Sequence, residues 1–270
     1  MSIRLTPRPK YISLALTALQ QSVAYRYTTL LNLLANLVWV VVQYYLWQVV
    51  FAERPQIENY NWIHMSTYIV VAFAVNALLT FNSEARLFIK IESGEIVSEL
   101  IQPINFLMAQ LSLAVGAALS EGLISFTIAF LLGIFLLNIT LPMSLFTFIF
   151  FLISVVLGFL VKFLISYMTA LLCFWTLQSL GLQWARQAIT NIFSGAIVPI
   201  QFFPSWLQRV ALLSPFQSII YIPISIYLGD ITGKAIIIAL IKQLAWIIAL
   251  RILVSLLWIP CMKSLRIQGG

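Results

Sequence analysis

The chain has one histidine, His64, and one aspartate, Asp230, so a catalytic device needing either residue has a single candidate for it. A Ser-His-Asp arrangement needs an acid to orient the imidazole. His64 has no acidic neighbour in sequence, so no such device is expected. The two cysteines, Cys173 and Cys261, lie in apolar stretches and show neither a disulfide framework nor metal-ligand spacing. They read as small core residues, and no His or Cys pair suits zinc. The segment 229–235 has two glycines followed by Lys234, as a phosphate-binding loop would. It has three residues between the glycines where four are needed, and Ala235 where Ser or Thr must hold magnesium. If ATP is used, another chain must bind it and its metal.

Glu121 stands alone in a long apolar run. In a helix starting near Phe106 it lies roughly 22 Å along the axis. A carboxylate at bilayer depth is costly and is usually paired or functional. Arg251 is the expected partner, with Lys162 as second choice. Two readings stay open: an ion pair that fixes helix register, and a proton relay or substrate contact. Ala114, Ala118 and Gly122 repeat every four residues beside it, a small-residue seam that permits close helix packing.

Four of the eight acidic residues, Glu84, Glu92, Glu95 and Glu99, fall within residues 81–105. Ser93 is placed to cap a short helix beginning at Gly94, with Glu95 in its first turn. Pro103 disfavours helix at the residue before it. Ile96, Val97, Leu100 and Ile101 are expected to form an apolar stripe, with Glu95, Ser98 and Glu99 facing away. Such a helix suits docking to another protein or serves as a solvated connection. A second cluster, residues 195–229, holds four of the ten prolines: Pro199, Pro204, Pro215 and Pro223. It reads as a re-entrant helix-turn-helix over 204–228, with Trp206 and Arg209 near a membrane interface. Irregular backbone at membrane depth is tolerated only under cover of protein or beside a water-filled cavity, so this piece is a candidate lid or gate.

The elements holding these residues must live in lipid. The 270 residues are 62% hydrophobic and 9% charged, with a mean hydropathy of +1.01. Average soluble domains are about 45–50% apolar and about 25% charged, so a water-soluble fold would lack the charge to cover itself. The net charge of +7 is scattered singly between apolar runs, which argues against nucleic-acid binding. The first ten residues are basic, with two prolines and no apolar core of a cleaved signal peptide. Six spans are expected: within 27–52 and 59–83, then 109–137, 144–167, 187–203 and 235–259. Residues 11–25 read as a helix lying in the membrane interface, or as an early start to the first span. With six crossings, Arg4, Arg8, Lys10, Arg26, Arg86, Lys90, Arg186, Lys263 and Arg266 share one side. Only Arg54, Arg209 and Lys234 lie on the other. The positive-inside rule then makes both termini cytoplasmic. The expected fold is a single all-α membrane domain, 1–270, with six transmembrane helices.

These features resemble the permeases of type-2 ABC transporters, the branch exporting drugs, lipids and glycoconjugates. The residues Ile91-Glu-Ser-Gly94-Glu-Ile-Val-Ser-Glu-Leu100-Ile-Gln-Pro103-Ile104 are similar to that family's cytoplasmic coupling helix. Ser194-Gly195, Pro199, Phe203-Pro204, Trp206-Leu207, Leu213, Pro215-Phe216 and Gly229 are similar to its fifth span and outer re-entrant helices. The resemblance implies a separate cytoplasmic ATPase dimer holding ATP and magnesium, and a second permease copy or a related permease. It implies a bacterial plasma membrane location and no enzyme activity of the chain's own. ATPase coupling would then fall to Ser93, Gly94, Glu95, Ile96, Val97, Glu99, Leu100, Ile101 and Pro103. Pro199, Phe203, Pro204, Trp206, Pro215 and Phe216 would form an outer gate. A proton-coupled secondary transporter using Glu121 is the alternative, and a membrane-embedded transferase or protease lacks the polar groups it would need. The abundance of Phe, Tyr and Trp favours an amphipathic or lipid-like cargo.

Overall fold

The computed structural model describes residues 10–24, 26–79, 83–101, 103–137, 139–140, 142, 144–176 and 180–264. The basic residues Arg4, Arg8 and Arg266 lie outside these, as do Gln102 and the side chains of Arg26, Glu84, Arg86 and Glu92. Helix α1 (Lys10–Ala24) packs along α6 and leads into α2 (Arg26–Glu53). A small antiparallel hairpin follows, β1 (Gln56–Ile57) paired with β2 (Tyr60–Asn61). The Asn61 side chain caps α3 (Trp62–Leu78) by accepting the His64 N–H at 2.8 Å. Then come α4 (Ser83–Glu92), the five-residue α5 (Ile96–Leu100) and α6 (Phe106–Ala117). A π-turn, Ala118–Gly122, joins α6 to α7 (Leu123–Leu137). Helices α8 (Leu145–Thr176) and α9 (Leu180–Phe193) follow. Next are α10 (Ser205–Leu213), α11 (Tyr221–Leu228) and the long α12 (Lys234–Ser264).

Among the described residues, three helical stretches are long and apolar enough to cross a membrane: Phe106–Ile134, Leu145–Thr176 and Lys234–Lys263. They fall where spans three, four and six are expected. The Leu37–Glu53 part of α2 and the 17-residue α3 are apolar too, and lie at the first two expected spans. The fifth differs from expectation. A continuous span over 187–203 is predicted, but α9 begins earlier and stops at Phe193. Gly195 then takes a left-handed conformation, φ +81°, which ends the helix.

The molecule is built inside out relative to a soluble protein. Leu34, Val38, Val49, Ile241, Ile248 and Leu256 are large, apolar and exposed. Gln43, Gln110, Lys162, Arg186 and Gln243 are buried. Lipid as solvent dictates this pattern, since burying apolar side chains from hydrocarbon gains little, whereas polar groups must find protein partners. Helices α8 and α12 form the longest packed pair, α3 packs on α7, and α11 lies against α8 and α3. The chain has two recognisable ends. The hairpin end is tied together by the Tyr227 hydroxyl, which donates to the Thr140 carbonyl at 3.0 Å, and by the Thr140 N–H, which donates to Thr67 Oγ1 at 3.1 Å. The other end carries α5. Helix α3 separates them by about 25 Å at 1.5 Å per residue.

Candidate functional site

At the α5 end, Gly94 closes α4 rather than opening the next helix. Its φ of +78° suits a residue without Cβ, and α5 begins at Ile96, two residues later than predicted. Ser93 Oγ accepts the Glu95 N–H at 3.4 Å, a turn-level cap. The expected faces also need correction. Ile96 is 1% exposed, and Glu99 lies three residues on, so the two share one face. Burying Ile96 therefore turns Glu99 inward. It pairs with Lys90 of α4 and accepts Gln110 Nε2 of α6 at 3.1 Å. Ile101 is 78% exposed instead of joining the buried stripe. Val97 and Leu100 are half-buried. Ile89, Ser93, Glu95, Ser98, Ile101 and Pro103 are left as an exposed surface, apolar at two isoleucines and acidic at Glu95.

Glu121 sits in the π-turn, half-buried, and Lys162 is buried on α8. Helix α12 buries Gln243, Leu250, Val254 and Cys261, so Arg251, one position past Leu250, faces out. Its guanidinium donates to Ser255 Oγ at 2.5 Å, one turn on. The small-residue seam is present: Ala114, Ala118 and Gly122 are all buried.

The proline-rich segment 204–228 holds two helices. Pro204 starts α10, and α11 ends at Leu228 with Gly229 in the left-handed region. Between the two helices the chain dips onto α8, where a Cβ on Gly158 would lie 2.8 Å from the Ser218 carbonyl oxygen. The backbone freed at this break is satisfied by side chains. Gln243, 0% exposed on α12, donates to the carbonyls of Ser218 at 2.8 Å and Ser154 at 3.1 Å, and accepts the Ser154 hydroxyl at 3.0 Å. Lys242 Nζ donates to the Leu212 carbonyl at 2.6 Å, and Gln217 Nε2 donates to the same oxygen. Sequence reasoning missed Gln243, Lys242 and Ser154. Their one signal was a Lys-Gln pair inside an otherwise apolar helix. Of the expected gate residues, Pro199 is buried, while Phe203, Pro215 and Phe216 are half-buried. Phe216 packs near Phe193 at 6.2 Å, whereas Pro204 and Trp206 are exposed.

Between α2, α3 and the end of α9 lies a cavity of about 170 Å³, lined by Trp39, Gln43, Tyr68, Phe73, Asn76 and Asn191 among others. The Tyr68 hydroxyl donates to the Gly195 carbonyl at 2.6 Å and so holds the chain break open against α3. Gln43 Nε2 reaches the Ile197 carbonyl at 3.5 Å. Helix α9 buries Arg186 and Thr190 while exposing Trp184, Ile189 and Ile192. Amides and aromatic rings meet here inside an apolar body, an arrangement suited to contacting an amphipathic molecule.

At the hairpin end the structure supplies the acidic neighbour that sequence denied to His64. Its Nε2 lies 3.2 Å from Asp230 Oδ1, outside hydrogen-bond geometry, and Tyr60 donates its hydroxyl to Asp230 Oδ2 at 3.1 Å. Burial, with the Asp230 carboxylate beside it, pushes the Tyr60 phenol far above its ordinary range, so it remains a donor. The cluster fastens the hairpin to the α11–α12 turn.

No curated protein matches the chain. A family model described as ABC-2 family transporter protein matches residues 37–269, from within α2 past the end of α12. The match takes in the α5 turn, the α10–α11 segment and the α9 break. The chain therefore belongs to the ABC-2 family of transporter proteins, as a permease-type, membrane-embedded transport component.

Proposed function

We propose that this chain is the permease of an ATP-driven exporter, moved by a separate cytoplasmic ATPase dimer that holds ATP and magnesium. Both termini are cytoplasmic in this reading, and α1 lies in the inner interface. The chain crosses six times, its fifth crossing built from α9 and the irregular segment after it. Two permease copies, or one and a related partner, line a path for an amphipathic, lipid-like, glycoconjugate or drug-like cargo. The cavity at Gln43, Asn76 and Asn191 belongs to that path, and α10–α11 form its outer gate.

The observation that carries this reading is the α5 turn. It exposes Ile89, Glu95 and Ile101 while Glu99 fastens it to α4 through Lys90 and to α6 through Gln110. Force applied to the exposed surface passes into two helices at once. A nucleotide-driven change of this kind needs contact energies that differ between the two states, and this surface supplies the contacts. Replacing Glu95 and Ile101 together by Arg is expected to abolish stimulation of ATP hydrolysis in the assembled complex. Normal stimulation in that variant would overturn the reading. Glu121 in a π-turn favours the proton-coupled alternative, since such turns recur at functional sites. Transport that survives ATP depletion and stops when the proton gradient collapses would install that alternative instead.

A further inference from the structure

The cavity of about 170 Å³ between α2, α3 and the end of α9 has a wall whose chemistry narrows the cargo proposed for it. Its volume is below the range of about 300–1,000 Å³ usual for whole small-molecule sites, so it has room for one head group rather than a complete amphiphile. No Asp, Glu, Lys or Arg is among its described lining residues. Three carboxamides, Gln43, Asn76 and Asn191, bring polar atoms to the wall. Gln43 gives one amide hydrogen to the Ile197 carbonyl at 3.5 Å, and Asn191 Oδ1 accepts Gln187 Nε2 at 2.8 Å. Among the described residues the Gln43 carbonyl oxygen and the Asn191 amide nitrogen make no further hydrogen bond, which leaves one acceptor and one donor for a ligand. A hydroxyl uses both, since it donates and accepts. An ammonium offers donors only and a carboxylate acceptors only, and either charge would be desolvated here without a counter-charge.

The wall also has an apolar exit. Trp39 lines the cavity and is 53% exposed. Val42, three residues on and so on the same face of α2, is 50% exposed, and Leu46, one turn further, is 51% exposed. An apolar track therefore leaves the cavity along α2.

We infer that this cavity takes the uncharged, hydroxyl-bearing head of an amphiphile whose tail lies along the α2 track. This names the cargo class of the path proposed above and rests on that reading, but binding can be measured without transport, so the two can fail separately.

The test uses the full chain in phosphatidylcholine nanodiscs, free of sugar detergents. Three probes share one tail: 8-fluorooctyl β-glucoside, 8-fluorooctylamine and 8-fluorooctanoate. Fluorine NMR line broadening above that of empty discs should saturate for the glucoside alone. Gln43→Leu and Asn191→Leu should each weaken it about fivefold, the worth of one hydrogen bond. Asn191→Asp keeps an acceptor for Gln187 and adds a charge. It should bring saturable binding of the amine, a gain that a misfolded variant would not show. Gln208→Ala, on α10 and outside the lining, should leave glucoside binding unchanged. Saturable binding of the amine or the octanoate by the unaltered chain, absence of glucoside binding, or undiminished glucoside affinity in both leucine variants would overturn the assignment. Glucoside binding as expected, with no ATP-driven movement of the glucoside by the assembled complex, would uphold the site and deny the cavity its place in the path.

Discussion

Gln243 meets a need created by Ser218. A chain that reverses direction beside α8 exposes carbonyls that water would otherwise satisfy, and Gln243 closes the Ser218 and Ser154 carbonyls and the Ser154 hydroxyl together. Each buried polar group left unsatisfied costs about 1–3 kcal/mol. Gln243→Leu should therefore destabilise the purified chain by about 3 kcal/mol or more, read as a clear fall in its thermal unfolding midpoint. An unchanged midpoint would mean the turn between α10 and α11 is held by other contacts. Glu99 makes a sharper comparison. Lys90→Met leaves its half-buried carboxylate without a cation, while Glu99→Gln keeps the capacity to hydrogen-bond Gln110 and Lys90. Lys90→Met should lower the midpoint more than Glu99→Gln, and an unchanged midpoint in both variants would assign Glu99 no structural part in the turn.

At the scale of elements, legibility tracked how locally each feature is encoded. The helix ends within 204–229 are legible because Pro204, Pro215 and Gly229 punctuate the chain where the helices begin and end. The α5 face was not readable. Five residues are too few to show a period, and its orientation is set by the burial of Ile96 and by partners on α4 and α6. The π-turn at Glu121 has no sequence signature at all. The length of α9 was misjudged because its apolar run continues past Phe193, while what stops it, the seat of Gly195 against Tyr68, is a contact across the fold. A Cβ on Gly195 would lie 2.7 Å from the Tyr68 hydroxyl, in a backbone conformation that favours glycine. Gly195→Ala should destabilise through both the clash and the φ angle, the second worth about 1 kcal/mol. Adding Tyr68→Phe removes the clashing oxygen, so the double variant should lose less than the two single losses added together. Simple additivity, measured by thermal unfolding, would deny the contact.

At the scale of the whole molecule, composition had already chosen the solvent, and the exposed apolar surface of α2 and α12 follows from it. Charge placement predicted an orientation, and the order of motifs predicted the family to which the chain belongs. What composition could not supply was the tertiary joinery: His64 to Asp230, Gln243 to Ser218, Glu99 to Gln110. These join residues distant in sequence, or depend on how a helix too short to show a period is turned. The proposed coupling requires the α5 turn to face the cytoplasm and to meet an ATPase there. Ile101→Cys tests this without knowledge of the cargo, because the native Cys173 and Cys261 are both buried. A membrane-impermeant maleimide should label that cysteine in inverted vesicles, fail to label it in intact cells, and lose access once the ATPase subunit is bound. Labelling in intact cells, or labelling in vesicles that the ATPase leaves untouched, would contradict the account.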